Sequence, residues 1–175
     1  MSEGNIWKQL LFFSIPLVLG NIFQQLYNAV DSIIVGNFVG SQALAAVTSS
    51  SPVINMLISF FMGLSIGAGV VISRYFGAND RQAVSDSIHT SMAIIILAGI
   101  AMTFIGVLLT PYILQWVGVP QDVMSDSIVY LKIYFYGIIG VMIYNMGSGV
   151  LRALGDSKTP LYFLIFSSAV NIVLD

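Results

Sequence analysis

Five apolar runs follow one another along this chain, separated by short polar links. Hydrocarbon holds no water to satisfy backbone N–H and C=O groups, so a run that enters it has to satisfy them internally, as a helix does. Crossing a core of about 30 Å takes about 20 residues at 1.5 Å each. The runs fall at residues 10–36, 46–72, 88–110, 129–151 and 160–175, with links at 37–42, 73–87, 111–126 and 152–159. Links this short join antiparallel neighbours. The expected fold class is therefore an all-α integral membrane protein, a polytopic helix bundle.

Composition agrees. With 57% hydrophobic and 8% charged residues and a mean hydropathy of +0.92, the chain is too apolar for an ordinary soluble domain. Its net charge of −2 offers no basic surface for nucleic acid. The absence of cysteine removes thiolate chemistry, and the single histidine, His89, has no partners at zinc-ligand spacing. No nucleophile, base and orienting residue stand at workable spacing, so an enzyme is not expected. The first run follows Lys8 as a signal peptide's would, but it is longer, carries Pro16 and lacks a small-residue cleavage site, so it reads as a retained span. The fifth run covers only about 24 Å before the sequence stops. The chain reads as the front part of something larger.

Charge sets the orientation. Lys8, Arg74, Arg81, Arg152 and Lys158 fall on one side of the zigzag, and the links at 37–42 and 111–126 contain no Lys or Arg. By the positive-inside rule the N-terminus is cytoplasmic. Lys132 lies at the outer start of the fourth run, from where it can snorkel to the interface. Trp7, Tyr112 and Trp116 suit the aromatic belts at the two surfaces.

Within the first run, Asn21, Gln24, Asn28 and Asp31 recur at steps of three, four and three, which on a helix makes one polar stripe. A carboxylate in hydrocarbon is costly, and such residues usually face a bundle interior or a water-filled path. The competing reading puts Asp31 in the headgroup region as a solvated helix end. Running outward from residue 10, Asp31 lies roughly 31 Å along its helix, and Asp175 lies roughly 23 Å along the fifth. Asn171 stands one turn before Asp175. Two carboxylates and an amide at similar depth suit a Na⁺ held by hard oxygen ligands, or shared protons. Read as an ordinary polar helix end, Asn171 and Asp175 carry no such role.

Other features read as structural. Ser59, Gly63, Gly67 and Gly69 form a small-residue series that lets helices approach closely. Ser49, Ser50 and Ser51 before Pro52 mark a kink whose hydroxyls cover freed carbonyls, and Pro16 breaks the hydrogen-bond ladder of the first run.

Three segments carry a family resemblance across nearly the whole chain: residues 16–40 (PLVLGNIFQQLYNAVDSIIVGNFVG), 74–84 (RYFGANDRQAV), and 130–140 with 149–160 (YLKIYFYGIIG and GVLRALGDSKTP). The chain resembles the N-terminal part of a MATE (multidrug and toxic compound extrusion) transporter. LRALGDSKTP departs from the family's LRGxGDTKxP pattern by Ala153 and Ser157. The resemblance implies an incomplete N-terminal lobe, residues 1–175, of a twelve-helix, two-lobe protein. Such a protein exchanges Na⁺ or H⁺ for bulky, often cationic organic compounds by alternating access, with no other cofactor. It implies a cation-coupling site at Asp31, Asn171 and Asp175, joined by Asn145, with Asn21, Gln24 and Asn28 along the cavity and Pro16 as a hinge. It also implies that the absent second lobe is needed for transport. Two alternatives stay open: a flippase of lipid-linked saccharides, which a basic groove would favour, and a non-transporting module whose stripe serves helix association.

The orientation is open to test by single-cysteine labelling, since the background is free of cysteine. Cysteines at Ser41 and Gln121 are expected to react from outside, and those at Asn79 and Ser157 to be protected. The reverse pattern would overturn the assigned sidedness.

Overall fold

The computed structural model describes residues 6–174, with side chains described for 7–37 and 40–171. Five helices follow in order: α1 Ile6–Ile34, α2 Ser41–Gly77, α3 Arg81–Val117, α4 Met124–Ala153 and α5 Lys158–Leu174. A π-helical turn, Val35–Val39, continues α1. Helices α1 to α4 are long and apolar enough to cross a membrane.

The helices overrun the predicted spans. At 37 residues each, α2 and α3 are about 56 Å long, well beyond about 30 Å of hydrocarbon. Most of residues 73–87 and 111–126, expected as links, is therefore helix, and Pro111 lies inside α3. Hydropathy marks where hydrocarbon ends, whereas local capping ends the helix.

Two connections use the same cap. At the end of α2, Asn79 takes a left-handed φ of 58°, Asn79 N–H donates to Phe76 C=O and Asp80 N–H donates to Tyr75 C=O, both at 3.1 Å. This closes the helix in a Schellman turn. Asp80 Oδ1 then accepts from Ala83 N–H at 3.0 Å and starts α3. At the end of α4, Gly155 has φ 92°, with Gly155 N–H on Arg152 C=O at 3.0 Å and Asp156 N–H on Leu151 C=O at 2.9 Å. Asp156 Oδ1 accepts from the N–H groups of Lys158 and Thr159, each at 3.0 Å. Thr159 Oγ1 donates to Oδ2. One aspartate thus closes one helix and opens the next.

Helix α4 sits between α2 and α3. Its buried positions Ser127, Leu131, Phe135, Ile138, Met142, Met146 and Gly149 recur at three and four, one helical face. Phe135 and Leu131 form the core with Leu57 and Phe61 of α2 and Ile95 and Leu114 of α3. Glycines bring the backbones together. A Cβ on Gly106 would strike the ring of Phe135, and one on Gly149 would strike Ser65 Oγ. Two hydroxyls tie the same contacts: Ser65 Oγ donates to Asn145 C=O at 2.8 Å, and Thr103 Oγ1 donates to Phe135 C=O at 3.1 Å.

The expected small-residue contact is thereby corrected. A Cβ on Gly63 or Gly67 would touch nothing within 4 Å, whereas one on Gly69 would lie 3.6 Å from Gly149 C=O. The face that packs on α4 contains Phe61, Ser65 and Ile72, and Ser59, Gly63 and Gly67 point away from it. Near Pro52 the hydroxyls do turn back, but Ser50 donates to Ala46 C=O and Ser51 to Val47 C=O, each at 2.9 Å. The carbonyl that Pro52 frees, that of Thr48, is not the one they cover.

Helices α1 and α5 pair beside this trio. Gly20 lies against Leu161 and Leu164, each 3.8 Å from its would-be Cβ. Tyr144 Oη links α4 to α5 by donating to Pro160 C=O at 3.3 Å.

Ser157 is buried, at 5% exposure, so Lys158, which is exposed, replaces it as the inner labelling position. Gly149→Ala is expected to cost about 1–3 kcal/mol, because Ser65 and α2 have to move. Gly63→Ala, in open space, is expected to be neutral or to stabilise by up to about 1 kcal/mol. Thermal unfolding of the two variants in detergent checks this; equal midpoints would contradict the packing described. The Asp156 carboxyl is held below its ordinary value of 3.8, chiefly by the Thr159 hydroxyl and then by the Thr159 and Lys158 N–H groups. Its cap is therefore complete above the unfolded value and is lost as pH falls through the lower folded one. Thr159→Val is expected to lower the midpoint near neutral pH, with a gap from wild type that closes below about pH 4.

Candidate functional site

The stripe on α1 is continuous helix. Asn21, Gln24 and Asn28 are exposed along it, and Asp31 at its far end is half-buried. Asn28 Nδ2 reaches Gln25 Oε1 at 3.5 Å, and Ser32 Oγ donates to Asn28 C=O at 2.8 Å. The three amides therefore face a side that no described helix covers. The π turn begins four residues after Asp31, with Gly40 N–H on Val35 C=O at 3.1 Å. Such turns are rare and cluster at functional positions. Nothing in the residue pattern announced it beyond Gly36 and Gly40.

The α1–α5 register sets what stands beside Asp31. At one end Gln9 to Phe13 lie near Leu154 to Lys158, and Gly20 lies against Leu161 and Leu164, so the helices run parallel. Eleven residues on from Gly20, at Asp31, that register reaches the last turn of α5, just beyond Asn171. Asn171 is half-buried, and its Oδ1 is enclosed with no hydrogen-bond partner among the described residues. Leaving an acceptor so placed is costly. Asp175, the third expected member, lies outside the described residues.

Tyr130 of α4 also belongs here. Asp31 lies close enough to act on it electrostatically, and Tyr130 is half-buried. Sequence reading passed it over because it sits in an aromatic stretch, YLKIYFY, where tyrosine ordinarily signals a membrane surface. Asn145 is the further member expected from the resemblance. It lies fifteen residues along α4 from Tyr130, about 22 Å of helix. Its Nδ2 donates to Val141 C=O at 2.9 Å, and it borders a narrow void with Leu57, Ile58 and Phe61 of α2. Its own carbonyl has a structural task, accepting from Ser65.

Pro16 is buried inside α1, where its ring removes the hydrogen bond to Phe12 C=O. It lies between the Gly20 contact and the end of the helix. Taken together, Asp31, Asn171 Oδ1 and the Tyr130 hydroxyl are oxygen donors on three helices. Oxygen groups of this kind are what a proton or a hard cation takes.

The pattern that defines the MatE family matches residues 16–175. The chain is 36% identical over 175 residues to the "Probable multidrug resistance protein YpnP" of Bacillus subtilis, aligning 99% of this chain with 39% of that protein. It is 28% identical to the "Multidrug export protein MepA" of Staphylococcus haemolyticus, aligning 99% of this chain with 38% of that one. Among solved structures it is similar to an outward-facing multidrug resistance MATE transporter of the MOP superfamily, with a TM-score of 0.89 and 28% identity over 99% of this chain and 38% of that one. The chain thus spans about two fifths of the length of these relatives.

Proposed function

The chain belongs to the MatE family, whose members are transporters rather than enzymes, and from that premise we propose that it supplies the cation-coupling part of a multidrug exporter in the cytoplasmic membrane. The complete protein exchanges inward-moving Na⁺ or H⁺ for outward-moving small organic compounds, bulky organic cations among them. The names of the relatives, a multidrug resistance protein and a multidrug export protein, support the cargo class. The observation that carries the coupling role is the half-buried Asp31 carboxylate at the level of the orphaned Asn171 Oδ1.

In this reading Asp31, Asn171 and Asp175 form the ion site, with Tyr130 beside them. An ion or proton at Asp31 removes a net charge from the low-dielectric space between α1, α4 and α5. A ligand shifts a conformational equilibrium only through its different affinity for the two states. Neutralising Asp31 therefore favours whichever state leaves that carboxylate least hydrated. Helix α1 can respond by itself, because Pro16 has already cost it one backbone hydrogen bond. Asn21, Gln24 and Asn28 line the exposed side of α1 and offer hydrogen bonds to passing cargo. The N-terminus lies on the cytoplasmic side, and the remaining helices, including the second lobe, complete the path.

Asp31→Asn in the complete protein is expected to abolish ion-driven efflux while leaving expression and part of the substrate binding, because the amide keeps the shape but cannot take the charge. Undiminished efflux at a full ion gradient would remove Asp31 from the mechanism. Paired with Asp175→Asn, the loss of ion binding measured on purified protein is expected to be non-additive, as for residues acting as one unit. Strictly additive losses would mean two separate groups.

A further inference from the structure

At the end of the bundle opposite Asp31, α1 and the α4–α5 turn stand apart and leave an open-mouthed cavity of about 560 Å³. Its apolar side is Phe12, Phe13 and Leu154, and its mouth carries Gln9, Asp156 and Lys158. The volume falls within the range of small-ligand sites. Helices α1 and α5 touch at Gly20, and the cavity opens on the far side of Pro16, where α1 enters the membrane. Trp7, 77% exposed, marks the interface level beside it. A cavity at this depth with both polar and apolar lining suits a lipid, its head at the polar groups and an acyl chain along the apolar ones.

Charge selects the head. A purely anionic group would meet Lys158 but be repelled by Asp156, and a simple cation would meet the converse. A head carrying both signs matches the pair. Asp156 narrows the choice further. Its carboxylate already accepts two N–H bonds at Oδ1 and one hydroxyl at Oδ2, which leaves Oδ2 room for one more donor. A primary ammonium donates such a bond, whereas a quaternary choline has no N–H to donate.

We propose that this cavity is a binding site for a membrane phospholipid with a zwitterionic, primary-amine head such as phosphatidylethanolamine. The ammonium lies at Asp156, the phosphate at Lys158 and Gln9, and one acyl chain along Phe12, Phe13 and Leu154. A lipid seated there wedges the end of α1 away from the α4–α5 turn, below the break at Pro16. Occupancy is thereby linked to the bend of α1.

The test is photo-crosslinking of the complete polypeptide in nanodiscs that contain a trace of diazirine-acyl phosphatidylethanolamine, with adducts mapped by mass spectrometry. Adducts are expected to concentrate at Phe12, Phe13 and Leu154, and to be displaced by unlabelled phosphatidylethanolamine but not by phosphatidylcholine or phosphatidylglycerol. Lys158→Gln is expected to lower these adducts by roughly fivefold, the scale of an exposed ion pair, and to leave those at the lipid-facing Phe104 unchanged. Asp156→Asn keeps an acceptor oxygen for the α5 cap and is expected to erase the preference for ethanolamine over choline. Three results would overturn the proposal: no adducts at the cavity, adducts at the Phe104 level with no dependence on head group, or preferential displacement by phosphatidylglycerol.

Discussion

The approach of α4 to α2 and α3 through backbone rather than side chain is the contact on which the rest of this bundle depends. In lipid, apolar side chains gain little by leaving one apolar medium for another, so helices hold together by close packing and interhelical hydrogen bonds. Gly149 and Gly106 leave room for Ser65 and Phe135, and the hydroxyls of Ser65 and Thr103 then reach carbonyls on α4. With α4 held on two sides, Tyr130 has a defined place within electrostatic range of Asp31.

The turns carry that order outward. Asn79 with Asp80, and Gly155 with Asp156, end one helix and start the next within three or four residues. A turn that tight leaves α5 little freedom in where it starts. Its parallel course beside α1 follows, and with it the shared depth of Asp31 and Asn171. The same turn forms one wall of the cavity at the other end, so the cap of α5 and the mouth of that cavity share one carboxylate, Asp156.

Helices α1 and α5 stand beside this order as a pair of their own. They contact each other at Gly20 and meet the α2–α4 trio chiefly through the chain itself and the Tyr144–Pro160 hydrogen bond. Pro16 lies inside one member of that pair and a π turn continues it.

Much of this was legible in the residues. The number of helices and the polar stripe of α1 follow from hydropathy and from the 3.6-residue period, which depend on local sequence alone. The family resemblance, carried by LRALGDSKTP and the RYFGAND loop, held over residues 16–175. Helix ends were misjudged because hydropathy senses the bilayer, whereas Asp80, Asp156 and the left-handed Asn79 and Gly155 set where hydrogen bonding stops. Depth along a helix is local arithmetic, so Asp31 and Asp175 could be proposed as neighbours from the residues alone, though Asp175 lies outside the described residues. Which face of one helix meets which face of another is not local. Only the tertiary structure set Ser65 and Gly149 in contact in place of Gly63 and Gly67 and placed Tyr130 within electrostatic range of Asp31. Packing between helices depends on the shape of both partners, and a single run of residues specifies only one of them.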